Sequence, residues 1–255
     1  MKTQIYKYVK GEDELACECF ERLWQDTLAT YEPKKPIALI LPCVWGKPYF
    51  ESYLIQYILG GVLACSENLI KEVEAYSNIQ EHLNTLEYHD IFDVVEIWHM
   101  SSCGFVPFEK QYVADETDGV AYFAYDWDSS RASSDDVLAW FKWAEKRTKE
   151  WVETFAQKYY RTFVYLREGS KSQQVFSPYF FSKEEAHREH SIVNAFLNPL
   201  QAREDYEEPS TFDKWITLNG RRTEVDIPLL APFSLSWLST QLTTAIGDYL
   251  KSLED

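Results

Sequence analysis

Apolar runs alternate with amphipathic stretches along the chain, and this pattern predicts buried strands separated by helices. Three short apolar runs, at 36–43, 91–98 and 161–166, are typical of strands inside a parallel sheet. A helical pattern over 50–64 and one or two further helices within 66–87 lie between the first two runs. This order predicts a strand–helix–strand unit, with a right-handed crossover and parallel pairing of its two strands.

Two longer stretches have the apolar stripe of an amphipathic helix, one over 12–31 and one over 133–160. Ser133 and Asp136 have the spacing of a capping box at the start of the second. Together these patterns predict an α/β fold built on a parallel sheet. The remaining predicted elements are strands over 3–9 and 119–127, an irregular stretch over 100–107, helices over 183–197 and 234–253, an acidic loop over 201–212 and a hairpin over 213–228.

The length of 255 residues suits one large domain or two small ones. The clearest elements lie in 1–171, which we predict to be an α/β core. The softer pattern over 172–255 predicts an α+β extension that packs on this core and does not fold independently.

The chain has 25 basic and 41 acidic residues and a net charge of −16. Such a chain is not expected to hold a phosphate backbone alone, because nonspecific nucleic-acid affinity needs several Lys or Arg contacts. A nucleic acid delivered by a partner is compatible with this charge, and solubility is its simplest explanation.

The sequence predicts a cytoplasmic protein without a membrane segment. The longest apolar stretch, Ile37 to Pro42, is far too short to span a bilayer, and the N-terminal residues do not have the pattern of a signal peptide. The five cysteines are odd in number and irregularly spaced, which favours reduced thiols over disulfides.

Cys43 follows the first buried strand, and ligands of open α/β sheets bind beyond the carboxyl ends of the strands. A helix N-terminus and a nearby cation such as Lys47 both favour a thiolate, so Cys43 is a candidate nucleophile. On spacing alone, a buried cysteine packed as a small apolar side chain is the simpler interpretation. Tyr49, Ser52 and the loop from Ser101 to Gly104 offer hydroxyl groups and amides nearby.

No metal site and no cofactor is predicted from the sequence. His187 and His190 have a spacing that could reach one metal ion from a helix, but no third ligand is identifiable. The chain also has no glycine-rich phosphate loop and no dinucleotide fingerprint.

The stretch from Pro42 to Ser52 resembles the signature of archaeosine synthases, which are archaeal paralogues of tRNA-guanine transglycosylase. That signature reads Pro-Cys, three residues, Lys-Pro-Tyr, two residues, Ser, two residues, His. The chain differs from it at Ile55, where the family has His, and His99 is a candidate to replace that group in space. The matching residues are Pro42, Cys43, Lys47, Pro48, Tyr49 and Ser52.

Residues 101–109 are similar to the Ser-Ser-x-Gly-x-Val-Pro-x-Glu segment that follows in the same family. The order and spacing of the two stretches agree with the family, and the resemblance covers roughly residues 36–167. The matching residues of the second stretch are Ser101, Ser102, Gly104, Val106, Pro107 and Glu109.

The resemblance implies a tRNA-modifying activity in which an amine, lysine in the family, adds to the nitrile of the 7-deazaguanine base preQ0. Cys43 and Lys47 would be catalytic, with Cys43 forming a thioimidate. Direct attack by the amine, with Cys43 only lining the pocket, is equally open. The substrate-binding residues implied are Pro42, Tyr49, Ser52, Ser101, Ser102, Gly104, Pro107 and Glu109.

The resemblance also implies a fold like that of uracil-DNA glycosylase, a three-layer α/β sandwich with a mostly parallel central sheet. The family's barrel and RNA-binding domains have no counterpart in this sequence, so we expect a transglycosylase-like or RNA-binding partner to deliver the tRNA. Two other functions stay open, a noncatalytic binding subunit and a glycosylase-like enzyme acting on a nucleobase.

Overall fold

A computed structural model describes the fold of most of the chain. The predicted acidic loop over 201–212 lies outside the described residues, as does all but the last residue of the predicted hairpin over 213–228. The described residues are 7–9, 18–44, 49, 52–72, 79–85, 88, 90–101, 104–110, 125–127, 133–197 and 228–254.

The centre of the fold is a five-stranded, mostly parallel sheet with the order β4-β3-β2-β6-β7. Central β2 pairs in parallel with β3 on one side and with β6 on the other, and β7 continues in parallel beside β6. Edge strand β4 pairs antiparallel with β3, while β1 and β5 form a separate parallel pair. The strands are β1 (Lys7–Val9), β2 (Ile37–Pro42), β3 (Val95–Ser101), β4 (Gly104–Pro107), β5 (Tyr125–Trp127), β6 (Arg161–Val164) and β7 (Ser191–Asn194).

Helices cover both faces of this sheet. Leu39 of β2 packs in one core with residues of α2 and α7, whereas Ile40 packs in a second, aromatic core with α1, α5 and α6. Successive side chains of a strand point to opposite faces, so the sheet lies between two helical layers. The helices are α1 (Glu18–Thr30), α2 (Tyr53–Glu72), α3 (Ile79–Thr85), α4 (Ile91–Val94), α5 (Ser134–Phe155), α6 (Lys171–Phe176) and α7 (Pro232–Ser252).

Several predicted elements are confirmed within a few residues. The buried strand predicted over 36–43 is β2, and the closing helix predicted over 234–253 is α7. Helix α5 begins with the predicted capping box, in which Ser133 is the N-cap and Asp136 lies in the first turn. Helix α2 continues through Gly60 and Gly61 to Glu72, farther than its predicted end at residue 64. Its apolar face packs against α7, and this burial outweighs the low helix propensity of the two glycines.

The predicted strand over 91–98 is wrong at its start, because residues 91–94 form α4. The Asp90 side chain accepts hydrogen bonds from the backbone N–H groups of Phe92 and Asp93, and Asp93 accepts one from the N–H of Asp90. This capping box satisfies amides that a strand would need to pair elsewhere. The strand then runs from Val95 to Ser101.

The described residues of the stretch over 100–107, predicted to be irregular, instead belong to the paired strands of a β3–β4 hairpin. β3 continues to Ser101, and Gly104 to Pro107 return beside it with Ser101 opposite Gly104 and Trp98 opposite Pro107. β4 has only four residues and has glycine and proline at its ends, so its sequence gives no strong strand signal. Proline is nevertheless tolerated on an edge strand.

The predicted helix over 183–197 is also wrong, because this stretch forms turns and then β7. His190 has a positive φ of 59°, and its backbone N–H donates to the Tyr160 carbonyl oxygen at 2.7 Å. Ile192 and Val193 are then buried beside β6. The pairing of β7 with β6 therefore determines the structure of this stretch, although its local sequence pattern is helical.

Residues beyond 171 contribute to the same sheet and the same core as those before it. β7 pairs with β6, and α7 packs on α2, where Ser66 Oγ and Ser239 Oγ are 2.7 Å apart. Among the described residues, no helix is long and apolar enough to cross a membrane.

A buried polar network lies near the amino end of β3. Tyr159 Oη donates to Glu96 Oε2 at 2.5 Å, and Trp98 Nε1 donates to Tyr159 Oη at 2.7 Å. The backbone N–H of Lys34 donates to Glu96 Oε1 at 3.2 Å. Burial, together with the nearby Glu96 carboxylate, raises the pKa of Tyr159 well above its ordinary value, and burial does the same for Tyr165.

Because the fold raises the pKa values of Tyr159 and Tyr165, we expect the protein to lose stability in alkali. In the unfolded chain they ionise near pH 10, whereas the fold keeps them protonated, so their contribution is complete below about pH 10 and declines above it. Each phenol should lower the free energy of unfolding by about 1.4 kcal/mol per pH unit in that range. Urea unfolding monitored with phenolate absorbance from about pH 8 to 11 tests this, and ionisation of both buried phenols in the folded protein would contradict it.

Candidate functional site

The strand order has a reversal point between β2 and β6, at the carboxyl ends of these two strands. The chain after β2 leads to β3 on one side of β2, whereas the chain after β6 leads to β7 in the opposite direction. The direction of the connections therefore reverses between β2 and β6. Ligands of open α/β sheets bind at such reversal points. β2 ends at Pro42, and Cys43 follows directly, half-buried, at this position.

Cys43, Tyr49 and His99 come together at this end of the sheet. Cys43 Sγ lies 3.5 Å from Tyr49 Oη, and either atom can be the donor. The Tyr49 ring stacks on the His99 ring with centroids 4.1 Å apart and an interplanar angle of 13°. Tyr49 and His99 are both fully buried. The cluster thus joins a thiol, a phenol and an imidazole.

The sheet register explains how His99 reaches this cluster. In the pairing of β3 with β2, His99 lies opposite Leu41, and Leu41 is two residues before Cys43 in the chain. It shares the face of β3 that bears Val95 and Ile97, which is the face covered by α2 and α7. The imidazole therefore points toward the start of α2.

Tyr49 is fixed by the turn that starts α2. The backbone N–H of Ser52 donates to the Tyr49 carbonyl oxygen at 2.9 Å, and that of Gln56 donates to the Ser52 carbonyl oxygen at 2.9 Å. Ser52 is buried at this turn. Tyr49 and Ser52 therefore lie in one turn at the start of α2.

Ser101 and Gly104 lie at the adjacent end of β3. Pro42 is paired with Met100, so Ser101 follows at the same edge of the sheet as Cys43, and it is buried. Gly104 has a φ of +113°, and a Cβ added there would lie 2.7 Å from the Trp24 ring. Gly104 is thus required by the hairpin and by the packing of Trp24.

Glu109 is not brought to the Cys43 cluster, although the family resemblance implied a substrate-binding role. Antiparallel β4 leads the chain back along β3, and Pro107 is already opposite Trp98. Glu109 then accepts a hydrogen bond from Tyr31 Oη at 3.1 Å and forms an ion pair with Lys34 at 3.0 Å. Its position is beside the buried network at the amino end of β3.

The remaining sequence candidates have three different outcomes. Lys47 and Ser102 lie outside the described residues. Ile55, which stands where the family has His, is fully buried in the apolar core. His99 instead supplies an imidazole to the cluster, and its stacking on Tyr49 is a contact that the sequence did not predict.

The described residues contain no group of three or more His, Cys, Asp or Glu that could hold a metal ion. Cys65 is a half-buried cysteine of α2. Burial raises the pKa of the Cys65 thiol, as expected for an inert cysteine inside a helical layer.

Fold and site together define an α/β protein with a five-stranded, mostly parallel sheet and a thiol–phenol–imidazole cluster at the carboxyl edge of that sheet. No family model, no curated protein and no solved structure matches this chain.

Proposed function

We propose that this chain acts on a 7-deazaguanine base in tRNA, with Cys43 adding to the nitrile of preQ0 on the route to archaeosine. The observation that carries the proposal is the contact of Cys43 Sγ with Tyr49 Oη at the reversal point of the sheet. Both residues belong to the stretch that resembles archaeosine synthases.

The positions of the two resembling stretches support the proposal. The first stretch supplies Cys43, Tyr49 and Ser52 around the end of β2 and the start of α2. The second begins with Ser101 at the adjacent end of β3. Cys43 of the first stretch and Ser101 of the second thus lie at one edge of the sheet, where an open α/β protein binds its ligand.

The strand order also favours a fold like that of uracil-DNA glycosylase. Numbered by their appearance in the chain, the four parallel strands β2, β3, β6 and β7 lie in the order 2-1-3-4 between two helical layers. This finer assignment is part of the proposal, because other doubly wound folds share this order.

The chemistry would proceed in two additions. Cys43 Sγ bonds to the nitrile carbon, one carbon–nitrogen π bond breaks, and the thiol proton passes to the nitrogen, which gives a thioimidate. An amine, lysine in the family, then bonds to the same carbon, the carbon–sulfur bond breaks, and a proton of the amine passes to sulfur, which restores the thiol and leaves an amidine. Hydrogen-bond donors would stabilise the nitrogen as its negative charge develops, and besides Tyr49 the described hydroxyl groups of the two stretches are those of Ser52 and Ser101.

A partner is proposed to deliver the tRNA, because the net charge of −16 opposes direct binding of a phosphate backbone. A transglycosylase-like or RNA-binding subunit would supply the basic surface. This arrangement leaves the present chain with the recognition of the base and the covalent step.

Nucleoside analysis of cellular tRNA tests the proposal. In cells lacking this chain, digested tRNA should accumulate preQ0 and lose archaeosine. The wild-type chain should restore archaeosine, whereas Cys43→Ala should not, because the alanine has no nucleophile. Mass spectrometry of the nucleosides measures both bases.

Cys65→Ala is the matched control, since Cys65 is a free, half-buried cysteine on α2. This variant should restore archaeosine as well as the wild type does. Unaltered archaeosine in the deletion strain would exclude the proposed pathway. Full restoration by Cys43→Ala would instead exclude the covalent step and leave direct attack by the amine or a noncatalytic binding subunit.

A further inference from the structure

The contact between Tyr49 and Cys43 bears on how the thiol holds its proton. A buried phenol needs a hydrogen-bond partner, and the Sγ atom of Cys43 lies 3.5 Å from Tyr49 Oη. Tyr49 is fully buried, while Cys43 is half-buried. Water therefore has better access to the thiol than to the phenol.

His99 restricts the phenol to one orientation. The two rings are nearly parallel, with their centroids 4.1 Å apart, which leaves little freedom for the tyrosine ring to turn out of the stack. β3 holds His99 itself, because this strand pairs with β2 on one side and with β4 on the other. The orientation of Tyr49 thus follows from the sheet.

We propose that Tyr49 is a positioning residue for Cys43, which favours the thiolate by donating a hydrogen bond to Sγ, and that His99 acts through Tyr49 by stacking. The inference rests on the proposed function only in taking Cys43 as the nucleophile. It supplies a group for proton control at a site where the family's His is replaced by Ile55.

The described elements around the cluster contribute an imidazole and a further phenol. His99 faces it from β3, and Tyr165 shares the same core from β6, with its hydroxyl group donating to the Leu229 carbonyl oxygen at 2.8 Å. Helix α2 contributes the aliphatic Ile55 and Ile58 to this core. Lys47 lies outside the described residues. A donor to Sγ stabilises the charged form, so removal of the Tyr49 hydroxyl should make the thiolate scarcer at neutral pH.

The rate at which iodoacetamide alkylates Cys43 as a function of pH tests this inference, because only the thiolate reacts. Peptide mapping follows Cys43 and Cys65 separately in the same molecules. In Tyr49→Phe, which keeps the ring, the alkylation midpoint of Cys43 should rise by about one pH unit, so the rate near neutral pH should fall about tenfold. The midpoint of Cys65 should not change.

Two variants at position 99 separate stacking from imidazole chemistry. His99→Phe keeps an aromatic ring against Tyr49 and should react as the wild type does. His99→Ala removes the stack and should shift the midpoint as Tyr49→Phe does. If His99→Ala fails to fold, as judged by circular dichroism, the comparison of Tyr49→Phe with His99→Phe still decides.

A Tyr49→Phe profile that overlays the wild type would overturn the inference. A shift in His99→Phe without one in Tyr49→Phe would also overturn it, since control would then lie with the imidazole. The measurement uses neither tRNA nor a nitrile. A shifted profile with unaltered archaeosine would therefore leave the inference standing and reject the proposed function.

Discussion

Replacement of Gly104 by alanine is expected to destabilise the fold by about 3–5 kcal/mol, from backbone strain and overpacking together. Gly104 has a φ of +113°, where residues with a side chain are strained. A Cβ would also lie 2.7 Å and 2.9 Å from two atoms of the Trp24 ring. That ring is fully buried, and its Nε1 donates to Glu150 Oε2 at 2.6 Å, so it has little room to move.

Chemical denaturation of three glycine variants measures the two contributions. Gly169 has a φ of +71° and no neighbour within 4 Å of an added Cβ, so Gly169→Ala should lose only about 1–2 kcal/mol through backbone strain. Gly60 lies inside α2, and a Cβ added there would also have no neighbour within 4 Å. Gly60→Ala should therefore increase the free energy of unfolding by about 0.5–1 kcal/mol. Equal losses at positions 104 and 169 would show that contact with Trp24 has no energetic consequence.

Tyr159→Phe is expected to reduce the free energy of unfolding by about 2–4 kcal/mol, because it removes two hydrogen bonds from buried polar groups. The Glu96 carboxylate would lose its 2.5 Å donor, and the indole N–H of Trp98 would lose its 2.7 Å acceptor. Tyr159, Trp98 and Glu96 are all buried, so water cannot readily replace the hydroxyl group. Urea unfolding near neutral pH measures the loss.

The neighbouring Tyr160 gives the matched control. Its half-buried ring packs on Tyr249, and no hydrogen bond from its hydroxyl group is seen within the described part of the chain. Tyr160→Phe should therefore change stability by less than about 0.5 kcal/mol. A similar small change in Tyr159→Phe would mean that the network is not energetically coupled. Tyr159→Phe should also weaken the alkaline loss of stability, since a buried phenol with a raised pKa is then absent.

The sequence could predict elements whose signal is local. The apolar run over 36–43 identifies β2, and the spacing of Ser133 and Asp136 identifies the start of α5. Cys43 follows from the same reasoning, because a residue just beyond a parallel strand lies where such sheets bind ligands. Burial periodicity and caps depend on residues a few positions apart, which the sequence displays directly.

Elements that depend on distant pairing were not predictable in this way. β7 gains its structure by pairing with β6, and β4 by returning along β3, although neither has a strong strand pattern of its own. Glu109 illustrates the consequence for the site. The resemblance grouped it with Ser101, but the antiparallel return of β4 places it near the opposite end of β3, with Tyr31 and Lys34.

By itself, the sequence determined the class of fold, the parallel arrangement of the central strands and the position of Cys43 beyond one of them. The tertiary structure decided which side chains meet that thiol. Tyr49 and His99 are fifty residues apart in the chain, and they stack because the register of β3 against β2 places His99 opposite Leu41. A shift of one residue in that register would turn His99 to the other face of the sheet, and local sequence patterns do not encode such a register.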